Sequence, residues 1–154
     1  MQKFSSLIVF GCIFFLAGCI RQPSALQQLP DHSFTTLKLG SRQLKVEVVN
    51  TAASTEQGLS DRDQIGSDGM LFVFPQKSLQ RFWMSKMKFD LDFIWLDDLK
   101  VVDLTKNVPH PQQSGDNNLP IYAPKAPVNQ VLEVPAGSID NWQLKIGDTF
   151  VQAK

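Results

Sequence analysis

The sequence has 154 residues, of which 43% are apolar, and its 15 acidic side chains balance 15 basic ones. This length and composition suit one globular domain with a single core. No basic run or basic patch interleaved with aromatic residues is present, which argues against a nucleic acid as partner.

The first 18 residues have the pattern of a bacterial lipoprotein signal peptide. A positive start at Lys3 precedes an apolar stretch over residues 7–17, which is too short to span a bilayer. The stretch leads into the tetrapeptide LAGC, in which small residues admit a peptidase and the thiol of Cys19 accepts the lipid. We therefore predict that residues 1–18 are removed and that lipidated Cys19 holds the protein on a membrane.

The residues after Cys19 indicate where the protein is held. In Gram-negative bacteria, an Asp directly after the lipidated cysteine favours the inner membrane, and this chain has Ile20 there. We expect a protein anchored in the bacterial cell envelope, on the outer membrane and facing the periplasm if the source is Gram-negative. Residues 19–33 are polar, rich in Gln and interrupted by Pro, which is typical of a flexible tether. A single domain over 34–154 would follow it.

Few residues in the mature chain could hold a metal ion. Cys12 leaves with the signal peptide and Cys19 carries lipid, so a disulfide, a thiolate nucleophile and a cysteine metal site are all excluded. His110 stands between two prolines without a second histidine nearby. We therefore predict neither a metal site nor a cofactor.

The domain opens with a predicted β-hairpin and a short helix. Residues 34–39 and 44–49 alternate between polar and apolar side chains on either side of a turn. Within residues 51–63, Ser54 or Thr55 could cap a short helix through Gln57, Gly58 and Leu59. Gly58 in this helix indicates either close packing or a ligand near the backbone. Arg62 is either a cation in a pocket or a solvated charge.

The strongest β signal lies in residues 69–98. Residues 69–75 predict a strand that is covered on both faces, because a short apolar run is bounded by Gly and Pro. Residues 81–87 and 91–96 predict two more strands, since both are rich in aromatic and aliphatic side chains.

A short loop would pair those last two strands as a hairpin. With three residues in the loop, Trp83 lies opposite Trp95 and Lys86 lies opposite Asp92. The second pair is opposite in charge, which favours this register. A loop longer or shorter by one residue would turn every side chain to the other face.

Asp92 is an acid inside an apolar run. Ile94 and Leu96 share its face of the predicted strand, and the alternate residues cover the other face. A buried carboxylate needs a partner, which Lys86, a tryptophan N–H or turn amides could supply. The alternative is a polar anchor at the floor of a ligand pocket, because perturbed carboxylates gather at functional sites.

The second half of the domain predicts further short elements. Glu133 is expected to face solvent or to pair with a lysine, as the outward residue of its strand. Residues 107–127 are a long Pro-rich segment that is typical of a functional or mobile loop. The predicted elements are strands over 100–105, 128–134 and 149–152 and a short helix from Ser138.

The order of several motifs resembles the bacterial and archaeal domain-of-unknown-function family 192. The resemblance covers roughly residues 34–151 and implies a compact, mainly β, barrel-like single domain of antiparallel strands with short helices. It implies no activity. The motifs are Gly58-Leu59, Arg62, Gly69-Met70-Leu71-Phe72-Val73-Phe74, Phe82-Trp83-Met84, Leu91-Asp92-Phe93-Ile94, Val131-Leu132-Glu133-Val134, Ala136-Gly137 and Ile146-Gly147-Asp148.

These observations favour a non-catalytic binding module of the envelope over two other classes of protein. The module would bind an envelope protein or a small ligand, and we predict no catalytic residue for it. The alternatives are an envelope hydrolase or transferase with Asp92 as its acid or base, and a purely structural lipoprotein. The predicted pocket residues are Asp92, Trp83, Arg62, Trp95 and Lys86.

Overall fold

A computed structural model describes residues 25–112 and 118–153 of the chain. The predicted signal peptide over 1–18 and Cys19 lie outside these residues. The described part confirms a mainly β fold with short helices. In chain order it contains a 3₁₀ helix (Ala25–Gln28), β1 (Phe34–Leu39), β2 (Arg42–Val49), α1 (Ala52–Gln57), β3 (Gly69–Ser78), β4 (Leu91–Asp97), β5 (Lys100–Val108), β6 (Val128–Pro135), α2 (Ser138–Asn141) and β7 (Val151–Gln152).

All seven strands join one curled sheet in the order β5-β4-β6-β3-β2-β1-β7. The predicted β1–β2 hairpin is confirmed, with Leu39 opposite Arg42 at its turn. The β4–β5 hairpin is also present, with Asp97 opposite Lys100. One pairing departs from the prediction of antiparallel strands, since β2 and β3 run parallel. A parallel pair needs a long crossover, and residues 50–68 with α1 provide it.

The sheet carries an apolar core on each face. Ile94 and Leu96 belong to one core, which also contains Leu132 and Val134. Phe93 and the alternate residues of the same strand belong to the other core. The predicted division of β4 into two faces is therefore confirmed, and β4, β6 and the first half of β3 are buried on both.

The predicted strand over residues 81–87 is wrong. In this segment only Phe82 makes a β-bridge, and its partner is Tyr122. Trp95 lies opposite Asp103 on one side and Val131 on the other. The segment cannot add to β4, because β5 and β6 already occupy both edges of that strand.

The predicted flexible tether is wrong for residues 25–33, which pack onto the sheet. Leu26, which belongs to the 3₁₀ helix, is buried in the apolar core. The backbone N–H of His32 donates to the carbonyl of Val48 at 2.8 Å. Asp31 accepts from the N–H of Asn50 at 3.0 Å and from the hydroxyl of Ser54 at 2.8 Å. The domain therefore begins before residue 34.

Candidate functional site

A pocket of about 280 Å³ opens between α1 and the segment around Phe82. Gly58 begins the turn that leads from α1 along the pocket wall. It adopts a φ of +49°, and a Cβ there would lie 3.1 Å from Cζ of Phe72, so glycine suits this position for both reasons. The pocket is lined by Ala52, Thr55, Glu56, Gln57, Gly58, Leu59, Ser60, Phe72, Phe74, Gln80, Arg81, Phe82, Trp83, Met87 and Glu133.

Aromatic rings form much of the pocket wall. The ring of Phe82 stands nearly perpendicular to that of Phe72, with centroids 4.9 Å apart, and to that of Phe74, with centroids 6.4 Å apart. Such edge-to-face pairs add to the stability of an apolar cluster. Trp83 extends this wall and is 53% exposed.

Glu133 lies among these apolar groups and is only 5% exposed. Its neighbours across the sheet are Met70 on β3 and Phe93 on β4. No group within residues 25–112 and 118–153 hydrogen-bonds to its carboxyl or forms an ion pair with it. Burial raises the pKa of this carboxyl to about 8, so it holds a proton at neutral pH. The prediction that Glu133 faces solvent or pairs with a lysine is wrong.

The remaining lining residues make the outer part of the pocket polar. Glu56 on α1 and Arg81 are exposed and opposite in charge. Hydroxyl and amide side chains accompany them, including Thr55, Ser60 and Gln80. The pocket thus combines an apolar wall, one buried acid and a polar rim, the combination typical of sites for small molecules.

Asp92 lies on the opposite side of the sheet from the pocket and is satisfied by backbone groups. One oxygen accepts from the N–H of Asn107 at 2.7 Å, and the other accepts from the N–H of Ile139 at 2.9 Å. Gly137 caps α2 without a side-chain hydrogen bond, so Asp92 supplies an acceptor that the helix start lacks. This arrangement corresponds to the structural alternative, but the donors are backbone amides of β5 and α2 and not Lys86, a tryptophan N–H or turn amides.

Of the five predicted pocket residues, only Trp83 lines the pocket. Trp95 is fully buried and donates its ring N–H to the hydroxyl of Thr105 at 2.9 Å. Lys86 is exposed, and its ammonium lies 3.4 Å from Asp61. The structure therefore does not bring the predicted residues together in one site.

Arg62 lies outside the pocket, where it forms an ion pair with Glu47. It donates to both oxygens of Glu47 at 2.6 and 3.0 Å, and His32 contacts the same carboxylate at 2.8 Å. The hydrogen bond from Arg62 lowers the pKa of Glu47, although burial acts in the opposite direction. The pair ties the segment after α1 to β2.

Replacing Arg62 with Met is expected to lower the free energy of unfolding by about 2 kcal/mol at pH 7, because charge-assisted hydrogen bonds are lost. The depressed pKa of Glu47 contributes stability above its ordinary value of 4.5, and this is lost as pH falls through the folded value. The deficit of the variant should therefore shrink at pH 3.5, as measured by urea unfolding. An equal deficit at both pH values would contradict this role.

A matched control is the exposed pair of Lys88 and Asp63, 2.7 Å apart. Replacing Lys88 with Met should change stability by less than about 1 kcal/mol, since exposed ion pairs contribute little.

Within the described ranges, no three His, Cys, Asp or Glu side chains come together in a way that could hold a metal ion. None of the helices between residues 25 and 153 that the structure describes is both long enough and apolar enough to cross a membrane.

The fold and the pocket define a small domain built on one curled β-sheet with a ligand-sized cavity on one face. The profile of the domain-of-unknown-function family 192 (DUF192), described as an uncharacterized ACR, matches residues 35–151. This match spans well over half of the chain, so the protein belongs to that family.

Two solved structures share the fold. A protein from Sinorhizobium meliloti 1021, described as a candidate transcription regulator, is 27% identical, with a TM-score of 0.68 over 80% of this chain and 97% of that one. A protein of unknown function from Novosphingobium aromaticivorans DSM 12444 is 24% identical, with a TM-score of 0.64 over 77% of this chain and 83% of that one. A search of curated proteins finds no match.

Proposed function

We propose that the protein is a lipoprotein of the bacterial cell envelope whose β domain is a non-catalytic module that binds a small ligand in the pocket. The observation that carries this proposal is Glu133, a buried acid without a partner among the described residues at the wall of an aromatic pocket. Burying such a group costs free energy. A ligand group that pairs with the Glu133 carboxyl would offset this free-energy cost.

The alternative of a hydrolase or transferase based on Asp92 loses its support. Both oxygens of Asp92 accept backbone hydrogen bonds, and the residue is fully buried. Within the pocket, Glu133 is the single buried acid among the lining residues. General acid–base chemistry needs a second positioned group, whereas the two charged rim residues are exposed to water. Catalysis would need a second positioned acid or base in the pocket, and ligand binding would not. The pocket therefore suits binding better.

Only a short segment separates the predicted lipid site, Cys19, from the β domain. Residues 20–24 separate Cys19 from the first described residue. A segment this short spans at most about 20 Å even when it is extended. A lipid on Cys19 would accordingly hold the domain close to the membrane surface.

Replacing Cys19 with Ser is expected to release the full-length protein from the membrane fraction, because the lipid can no longer be attached. Fractionation of cells that express each form measures this, with labelled fatty acid as a second readout. A Ser variant that stays in the membrane fraction, or a wild-type protein without label, would overturn the anchor.

Ligand binding predicts a rise in melting temperature that depends on the pocket. We expect one chemical class in a panel of amines, sugars and carboxylates to raise it, since a ligand present at 100 times its Kd stabilises by about 2.7 kcal/mol. Ala52 lines the pocket from α1, whereas its neighbour Ala53 does not. Replacing Ala52 with Trp should abolish the rise, and the matched Ala53→Trp variant should retain it. No rise with any class, or an equal rise in both variants, would contradict a ligand site here.

A further inference from the structure

We propose that the ligand of this pocket carries an organic ammonium group, whose positive charge lies against the carboxylate of Glu133 and the faces of the surrounding rings. This inference rests on the proposed function and adds the chemical class of the ligand. The ammonium group could belong to a free amine or to a lipid headgroup, and the two sources share this chemistry.

The lining favours a cation over other ligands. Phe72, Phe74 and Phe82 present rings in nearly perpendicular pairs, and aromatic faces attract a cation with about 0.5–2 kcal/mol each. An anion would find no buried basic side chain among the described lining residues. The only basic lining residue among those described is Arg81, which is exposed and therefore screened by water. A ligand cation would form with Glu133 the ion pair that this residue lacks within the described part of the chain.

Binding of a cation requires Glu133 to ionise, and the proton must leave. At neutral pH the carboxyl holds a proton, since burial raises its pKa to about 8. The binding step therefore joins the ammonium to the carboxylate and releases one proton to the buffer. Across the sheet, Glu133 has the apolar neighbours Met70 and Phe93. The other charged residues that line the pocket are the exposed Glu56 and Arg81. Affinity should consequently rise up to tenfold per pH unit below pH 8.

The volume of the pocket limits the ligand to a small one. About 280 Å³ lies just below the range of roughly 300–1,000 Å³ that is usual for small-molecule sites. A headgroup such as choline or ethanolamine is of a suitable size, and a bulky polycyclic amine is not.

Calorimetry with choline and its neutral carbon analogue, 3,3-dimethylbutan-1-ol, tests the charge directly. We expect choline to bind the wild-type protein at least tenfold more tightly than the alcohol at pH 7. Its apparent enthalpy should change between phosphate and Tris buffers by an amount that corresponds to release of about one proton. Ethanolamine and putrescine extend the test to amines with N–H donors. Equal binding of the alcohol, or binding of no amine, would overturn the inference.

Two variants separate Glu133 from an acid outside the pocket. Replacing Glu133 with Gln should weaken choline binding more than tenfold and abolish proton release. Replacing Asp63, an exposed acid that does not line the pocket, with Asn should change affinity less than threefold. Tight choline binding by the Glu133→Gln variant would also overturn the inference.

Glycerophosphocholine distinguishes the two sources of the ammonium group. Binding at least as tight as that of choline indicates a lipid headgroup, and weaker binding indicates a free amine; both outcomes support the shared chemistry. If only a sugar or a carboxylate binds, and the Ala52→Trp variant blocks it, the ammonium inference fails while the proposed ligand-binding function stands.

Discussion

Replacing Asp92 with Asn is expected to lower the free energy of unfolding by about 3 kcal/mol without weakening ligand binding by the folded protein. The carboxylate accepts one backbone N–H at each oxygen, from Asn107 and from Ile139. An Asn side chain offers one oxygen and turns an NH₂ group toward the second N–H, which leaves buried donors unsatisfied at about 1–3 kcal/mol each.

Asp90 is the matched control for this substitution. It accepts from the backbone N–H of His110 at 2.9 Å, as Asp92 does from its partners, but it is exposed. Replacing Asp90 with Asn should cost less than about 1 kcal/mol, because water can satisfy the groups that remain. Urea unfolding measures both variants. An Asp92→Asn protein that folds with wild-type stability yet fails to bind would show that Asp92 belongs to the functional site instead.

Replacing Glu133 with Gln is expected to stabilise the protein by an amount that grows as the pH rises from about 4.5 to about 8. The folded-state pKa of about 8 lies above the ordinary value of 4.5, so the folded protein binds more protons between these values. The contribution of this group to stability is full below pH 4.5 and is lost as pH rises through about 8. Gln stays neutral throughout. The variant should gain roughly 4 kcal/mol over wild type at pH 8 and less than about 1 kcal/mol at pH 5.

Urea unfolding at several pH values measures this gain. The Glu56→Gln variant is the control, since Glu56 is an exposed residue of the same pocket, and its stability should follow that of the wild type. A gain that is the same at pH 5 and pH 8 would contradict the assignment. If the protein becomes more stable when Glu133 is replaced, this acid does not serve folding. Such a result fits a residue that is retained for ligand binding.

Local patterns predicted most of the fold, because strands and hairpins depend on neighbouring residues. The β1–β2 and β4–β5 hairpins follow from alternation around a turn. The segment 81–87 has the same local signal, and only the topology shows that β4 has no free edge for it. The parallel pairing of β2 with β3 is likewise set by a distant crossover rather than by local sequence.

The candidate site was harder to predict than the fold. Asp92 stands out in an apolar run, but its partners come from β5 and from α2, which are distant in sequence. In the sequence, Glu133 also lies among apolar residues. A strand that is buried on both faces has no solvent-exposed face on which an acid could lie. That flanking pattern was the one signal that could have identified Glu133. The aromatic wall depends on Phe72 and Phe82, which contact across separate elements.

The carbon-13 chemical shift of the Glu133 carboxyl, followed by NMR from pH 4 to pH 10 without ligand, shows directly whether this acid is buried without a partner. A carboxyl buried without a partner should titrate near pH 8, and its midpoint should move downward when choline is bound. A midpoint near 4.5, the ordinary value for this side chain, would mean that Glu133 is hydrated or paired, and the pocket would then lack the group on which both proposals depend.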